Sequence, residues 1–262
     1  MHPVLFHIPW IDFPVRLYGI MMAVGFLVGL SWVRFQSKRI NLSPDKMTDF
    51  AFLMMFSGVA GARIASVVIE GNGSWKNPLA YFRVWEGGLV FYGGLIAGLL
   101  VAFYYCYKKK ISFLKISDLF MPAVAIGLGI GRIGCLMAGC CHGKVCPTDA
   151  WYGIIYPEGV GSQASPLGVP LYPTPIMEAV SLLFIFIFLA WYSQRKKFDG
   201  QILSLYLMIY AIVRSYIELF RGDVERKFVP GTPISTSQMI SIILFVVGLG
   251  IYFKYRKQGR QS

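Results

Sequence analysis

Polar residues are sparse along this chain, and they mark off apolar stretches of roughly the length needed to cross a lipid bilayer. Such stretches run over residues 17–33, 49–69, 88–107, 117–138, 174–192, 201–220 and 238–255. An α-helix rises 1.5 Å per residue, so ~20 mainly apolar residues cover a hydrocarbon core of ~30 Å. The pattern predicts an all-α, polytopic membrane protein of about seven transmembrane helices, with residues 1–262 forming one membrane-embedded domain. Residues 1–16 contain Pro3, Pro9, Asp12 and Pro14 and lack a basic stretch followed by an apolar one. No cleavable signal peptide is expected there, and the first apolar stretch is expected to be a retained span.

Composition strengthens this picture. Hydrophobic residues make up 56% of the chain and charged residues only 15%, against about a quarter charged in soluble domains. The formal net charge is +12, and its distribution matters more than its size. Lys and Arg flank the apolar stretches and form no single patch, so nucleic acid is not an expected partner. Arg34, Lys38, Arg39, Lys46, Lys108, Lys109, Lys110, Lys115, Arg195, Lys196, Lys197, Lys254, Arg256, Lys257 and Arg260 fall on one side. Arg16, Lys76, Arg83, Lys144, Arg221, Arg226 and Lys227 fall on the other. The richer side faces the cytoplasm by the positive-inside rule, which puts the N-terminus outside and the C-terminus in the cytoplasm.

Arg63, Arg132 and Arg214 remain, and all three lie within apolar stretches. A charge at the centre of a membrane helix costs at least ~2.5 kcal/mol, so such residues face a bundle interior or aqueous cavity and find a partner. A structural ion pair or snorkelling is the plain explanation for any one of them. In the predicted topology, however, all three lie in the outer halves of their spans, at the level of Tyr18, Tyr92 and Glu178. Six polar residues from six spans at one depth point to a polar chamber open to the outer face. Tyr210, Arg214 and Glu218 are spaced i, i+4, i+8 and form one stripe on a helix, which Arg221 nearly continues. Glu218 can neutralise Arg214, and Arg221 then leaves positive charge in excess. Two or more guanidiniums in a low-dielectric chamber suit a phosphate, which they bind bidentately while staying protonated.

Glycines at Gly25–Gly29, Gly94–Gly98 and Gly127–Gly131 have the small-xxx-small spacing that brings membrane helices close together. Four of the five cysteines, Cys135, Cys140, Cys141 and Cys146, cluster around His142. The spacing lacks a paired CxxC, so no metal and no cofactor are expected. A disulfide is a separate option, because the segment is expected on the oxidising side.

The segment Gly131-Arg132-Ile133-Gly134-Cys135-Leu136-Met137-Ala138-Gly139-Cys140-Cys141-His142-Gly143 resembles the signature of the bacterial prolipoprotein diacylglyceryl transferases. Tyr18-Gly19, Phe82-Arg83-Val84-Trp85-Glu86-Gly87-Gly88, Tyr92-Gly93-Gly94, Tyr172-Pro173-Thr174 with Glu178, and Tyr210, Arg214, Glu218 and Phe220-Arg221 resemble other family motifs, in order along nearly the whole chain. The resemblance implies transfer of the diacylglyceryl group of phosphatidylglycerol to the lipobox cysteine thiol of a prolipoprotein, forming a thioether and releasing glycerol phosphate. It implies an inner-membrane enzyme whose site opens to the outer leaflet, with membrane lipid and lipobox prolipoproteins as partners. By position, Arg132 would bind the lipid headgroup and Arg214 would stabilise charge developing on the phosphate. Glu218 and Tyr210 would orient Arg214, and Tyr18 would line the cavity. Arg63, Glu178 and Gly143 would belong to the phosphatidylglycerol-binding set. The chain departs from the common pattern at Tyr92, where many members have a histidine suited to act as base, and at Cys135 and Cys140, where others have asparagine and glutamate. Tyr92 is therefore expected to hydrogen-bond within the site, and the base is left open.

Two other functions compete. A transporter or channel for an anionic solute would use the same arginines, but it calls for polar residues continuing toward the cytoplasm, where these spans are largely apolar. A disulfide- or quinone-linked redox protein would use Cys140 and Cys141, yet adjacent cysteines are poorly placed for exchange and no second redox motif accompanies them.

Overall fold

A computed structural model describes residues 4–8, 13–69, 90–157, 166–222, 231–232 and 234–258. Among them are seven long helices: α1 (Leu17–Arg39), α2 (Pro44–Ile69), α3 (Phe91–Lys109), α4 (Phe113–Ala138), α5 (Thr174–Ser193), α6 (Gln201–Glu218) and α7 (Thr236–Gln258). Strands β1 (Val4–Ile8) and β2 (Phe13–Arg16) pair antiparallel ahead of α1, and β3 (Ile154–Ile155) pairs antiparallel with β4 (Pro170–Leu171) between α4 and α5. Each predicted apolar stretch contains one helix, and α1, α2, α4 and α7 extend beyond it by several residues. The extensions carry polar ends such as Lys38 and Arg39 on α1 and Arg256 and Lys257 on α7, because the helical hydrogen-bond ladder continues past the hydrocarbon boundary. Helices α1, α2, α4, α5 and α7 are long and apolar enough to cross a membrane. Their bare faces agree with that: Phe56, Val68, Phe184 and Val246 are exposed, as lipid-facing side chains must be.

The chain divides into two compact units, Met1–Trp32 with Ser117–Ser262, and Val33–Ile116. In the second unit α2 packs on α3 through small residues. Gly61 meets Gly93 and Ala97, and a Cβ on Gly94 would lie 2.7 Å from the Gly58 carbonyl oxygen. Arg63 is buried on α2, while Tyr92, at the start of α3, is half exposed and set edge-on to Phe91.

In the first unit the predicted glycine stripes of α1 and α4 meet each other. A Cβ on Gly25 would lie 2.7 Å from the carbonyl oxygen of Gly127, and one on Gly134 would lie 3.2 Å from the Cα of Tyr18. On another face of α4, Gly129 accepts Leu182 and Ala179 of α5. Lipid tails are as apolar as leucine, so close packing, more than escape from water, holds these helices together. Ala125, Leu182, Ile185, Leu189, Ile202 and Tyr206 form the buried core between α4, α5 and α6. At the far end of α4 from its glycines, buried Asp118 accepts the backbone N–H groups of Gly200 and Leu203 at 2.9 Å each and pairs with Lys196 at 3.1 Å. It thereby satisfies donors that the first turn of α6 cannot use itself.

Candidate active site

Helix α4 ends in a Schellman motif. Gly139 takes φ 74°, the Gly139 N–H donates to Leu136 O, and the Cys140 N–H donates to Cys135 O at 3.1 Å. The next residue but one, Cys141, also has a positive φ, 58°, which is rare for a residue with a side chain. The hydroxyl of Thr174, the first residue of α5, donates to the Cys141 carbonyl oxygen at 2.7 Å and fixes this turn. The chain therefore curls back over the helix end, and the sulfurs of Cys135, Cys140 and Cys141 come within 4.8 Å of one another. All five cysteines are free thiols. The cation set against the three sulfurs is Arg132, whose Nη1 lies 3.4 Å from Cys141 Sγ and 3.9 Å from Cys135 Sγ.

Beyond the turn, residues 142–146 lie between the segments that close α6 and open α5. The Gly143 N–H donates to Tyr172 O at 3.0 Å, Lys144 N–H to Phe220 O at 2.8 Å, and Tyr172 N–H to Lys144 O at 2.9 Å. A Cβ on Gly143 would collide with Tyr172 and come within 2.9 Å of the Phe220 carbonyl. Gly143 thus lets three backbones meet, which locks the ends of α4, α5 and α6 into register. A ring of aromatics continues this junction outward, from Phe220 through Tyr172 and Tyr152 to the exposed Trp151.

The locked ends place four charged side chains in one chain of contacts. Glu178 sits about one turn into α5, where a helix N-terminus favours a carboxylate. Its Oε1 is 3.0 Å from Arg132 Nη2 on α4, and its Oε2 is 3.6 Å from Arg214 Nη1 on α6. Arg214 Nη2 is in turn 3.0 Å from Glu218 Oε2, one turn further along α6. The Tyr210 hydroxyl donates to Glu178 Oε1 at 3.4 Å. Glu178 and Glu218 are buried, and the Arg132 side chain is 21% exposed against 10% for Arg214. Arg132 is therefore the more accessible of the two arginines. Arg214 Nη1 is buried, and its contact is the 3.6 Å ion pair with Glu178 Oε2.

Electrostatics outside the helices sharpens the picture. Hydrogen bonds from Cys135 and Cys140, aided by the charges of Arg132 and Arg221, pull the Cys141 thiol far below the usual thiol range. The Cys135 contact pushes the Cys140 thiol far above it. Of the three clustered thiols, Cys141 is thus the one whose ionised form its surroundings favour.

The structure brings together Tyr18, Arg132, Glu178, Tyr210, Arg214 and Glu218 of the expected set. Tyr18 lies against Gly134 and within electrostatic reach of Arg132, Cys140 and Cys141. Arg63 and Tyr92 belong to the other unit and are placed only within it. The motif from Phe82 to Gly88 lies outside the described residues. Two details depart from the sequence reading. Helix α6 stops at Glu218, so Arg221 leaves the helical stripe and pairs its backbone with Gly143 instead. Glu178 is the link between both arginines, a role its spacing in sequence did not reveal. Cys141 was missed as well; the left-handed turn that aims its sulfur at Arg132 leaves no mark in residue spacing.

A family model described as prolipoprotein diacylglyceryl transferase matches residues 3–254. A phosphatidylglycerol–prolipoprotein diacylglyceryl transferase of Clostridium tetani is 32% identical over 260 residues, 98% of this chain and 100% of the relative. Relatives of the same description in Clostridium perfringens and Geobacter sulfurreducens are 33% and 32% identical, each over 94% of this chain and more than nine-tenths of their own length. The matched stretch contains every member of the arginine–carboxylate cluster, and on that agreement of sequence over its full length the chain belongs to the prolipoprotein diacylglyceryl transferase family.

Proposed function

We propose that the arginine–carboxylate cluster is where this membrane enzyme moves the diacylglyceryl group of phosphatidylglycerol onto the lipobox cysteine of a prolipoprotein. Arg132 grips the phosphate, being the more exposed guanidinium. Arg214 stabilises the charge that develops as the glyceryl carbon–oxygen bond breaks, a preorganised electrostatic role. Glu178 holds both guanidiniums in place, Glu218 and Tyr210 orient Arg214, and Tyr18 borders the same cavity. Arg63 and Tyr92 stay in the candidate set on family resemblance alone. The enzyme sits in the cytoplasmic (inner) membrane with its N-terminus outside and its C-terminus in the cytoplasm. The site opens to the outer leaflet, where a translocated prolipoprotein arrives.

The observation that carries this reading is the pair of guanidiniums from two helices bridged by one buried carboxylate, with Arg132 the more exposed of the two. The test is thioether formation from phosphatidylglycerol and a lipobox peptide by the purified protein. Arg132→Ala and Arg214→Ala should each lower the rate by at least ~10²-fold while the protein still inserts in the membrane. Full activity in both variants would refute the assignment.

A further inference from the structure

We infer that Cys141 is the base that takes the proton from the incoming prolipoprotein thiol, and that lipid binding at Arg132 switches this base on. The inference rests on the transferase reading and supplies the proton acceptor that reading lacks. Attack by sulfur needs a thiolate, and an unperturbed cysteine has a pKa of about 8.5, so only ~3% of a lipobox thiol is ionised at pH 7. A group beside the phosphate-binding arginine must accept the other proton.

Cys141 meets the geometric requirements. Its sulfur touches Arg132 Nη1 at 3.4 Å, so it adjoins the place assigned to the phosphate. It lies three residues past the C-terminus of α4, in the turn that packs against Arg132. It is only partly buried. Its backbone is held at φ 58° by the Thr174 hydroxyl. A non-glycine residue keeps such a conformation only when its surroundings enforce it, and such strain gathers at working sites. Nothing in the packing of a small thiol calls for it.

The neighbouring groups explain the switching. Facing Cys141 are Tyr18 from α1, Arg132 and Cys135 from α4, Cys140 beside it, Tyr156 after β3, and Arg221 after α6, with Glu178 of α5 reaching it through Arg132. Before lipid binds, Arg132 stabilises the Cys141 thiolate and keeps it a weak base. The phosphodiester brings one negative charge to Arg132 and competes for that guanidinium. The thiolate then loses part of its stabilisation and becomes more basic when a lipid is loaded and a proton must be removed. The step balances. Cys141 S⁻ takes the proton of the lipobox thiol and becomes a thiol. The lipobox thiolate forms a carbon–sulfur bond to the glyceryl CH₂ that carries the phosphate. The carbon–oxygen bond breaks, and its electron pair goes to the phosphate oxygen of the departing glycerol phosphate. The Cys141 thiol then returns its proton to that phosphate or to water, and Arg132 restores the thiolate.

The experiment compares wild type with Cys141→Ala, Cys141→Ser and Cys141→Asp in proteoliposomes containing phosphatidylglycerol, with a lipobox peptide as acceptor, from pH 6.5 to 9.5. Binding of phosphatidylglycerol is measured separately. At pH 7 the Ala and Ser variants should be slower than wild type by ~10²–10⁴-fold, the usual contribution of a general base, with lipid bound more tightly, since the phosphate no longer competes with a thiolate for Arg132. Their deficit should narrow by roughly 30-fold by pH 9.5, because the peptide thiol then ionises without help (from ~3% to near 90% thiolate). Cys141→Asp should recover part of the pH 7 rate. A deficit that is the same at both pH values marks a packing role and overturns the proposal, as does full activity of Cys141→Ala at pH 7. A wild type that forms no thioether at any pH refutes the transferase reading itself, so the two failures are distinguishable.

Discussion

Replacing Glu178 by glutamine removes one charge from a carboxylate that two guanidiniums share, while keeping its shape and one acceptor oxygen. Its contacts to Arg132 and Arg214 are 3.0 and 3.6 Å, where Coulomb's law at an effective dielectric constant of about 20 gives roughly 5 kcal/mol each before desolvation. Removing one partner of a buried ion pair usually costs about 3–5 kcal/mol, because a charge is left behind unmatched. Glutamine still offers an oxygen to Arg132 or Tyr210, and Arg132 reaches solvent, so ~2–3 kcal/mol is the expected loss. The kinetic consequence separates this account from simple damage. Without the bridging charge the site is more positive, so phosphatidylglycerol should bind as tightly as before or more tightly. The arginines, no longer held in one geometry, should align poorly with the breaking bond, and kcat should fall ~10–100-fold. The assay is thioether formation against phosphatidylglycerol concentration in mixed micelles, alongside thermal denaturation. A raised KM for the lipid with unchanged kcat would refute the bridging role, since it would make Glu178 a direct headgroup ligand.

Asp118→Ala should destabilise the protein by about 2–3 kcal/mol, because it leaves two α6 N–H groups without their shared acceptor while Lys196 keeps only Asp199 at 2.9 Å; no change in thermal stability would show that water replaces it. Burial works against the charged form of Lys196, but the Asp118 charge together with the hydrogen bonds to Asp199 and Asp118 outweighs it and raises the Lys196 pKa. The pair therefore contributes stability at pH values below the ordinary lysine pKa and loses it as pH rises through the raised one; the melting temperature of wild type, but not of Lys196→Met, should drop over that alkaline range. Gly143→Ala should uncouple the junction of α4, α5 and α6, since its Cβ would collide with Tyr172. Activity and thermal stability should both fall, whereas a residue serving only substrate contact would spare stability.

Much of the architecture follows from the order of residues alone. Long apolar stretches interrupted by basic clusters can satisfy their backbone groups in lipid only as helices, so seven helices are readable directly. The meeting of Gly25 with Gly127 was foreshadowed by spacing, because close packing in lipid demands small residues. The i, i+4, i+8 stripe of Tyr210, Arg214 and Glu218 likewise follows from helical period, and its internal Arg214–Glu218 pair forms as expected. The segment from Gly131 to Gly143 carries the family resemblance in its residues alone.

Tertiary structure decided the rest, for reasons that periodicity does not encode. Which carboxylate serves which arginine depends on how α4, α5 and α6 are held together, and that depends on Gly143 having no side chain between Tyr172 and Phe220. Helix α6 ends at Glu218 because the chain must leave it there to pair with residues 142–144, which takes Arg221 off the stripe. The cysteines look scattered in sequence, at a helix end and a loop. Two left-handed residues, Gly139 and Cys141, fold them back onto Arg132, since a reversal of chain direction over a helix terminus needs positive φ. The sequence by itself determined that this is a helical membrane enzyme with buried arginines. Only the fold decided that Arg132 and Arg214 share Glu178 and that Arg132 faces the cysteine sulfurs, because contacts between helices are set by where each helix ends and what its neighbours allow.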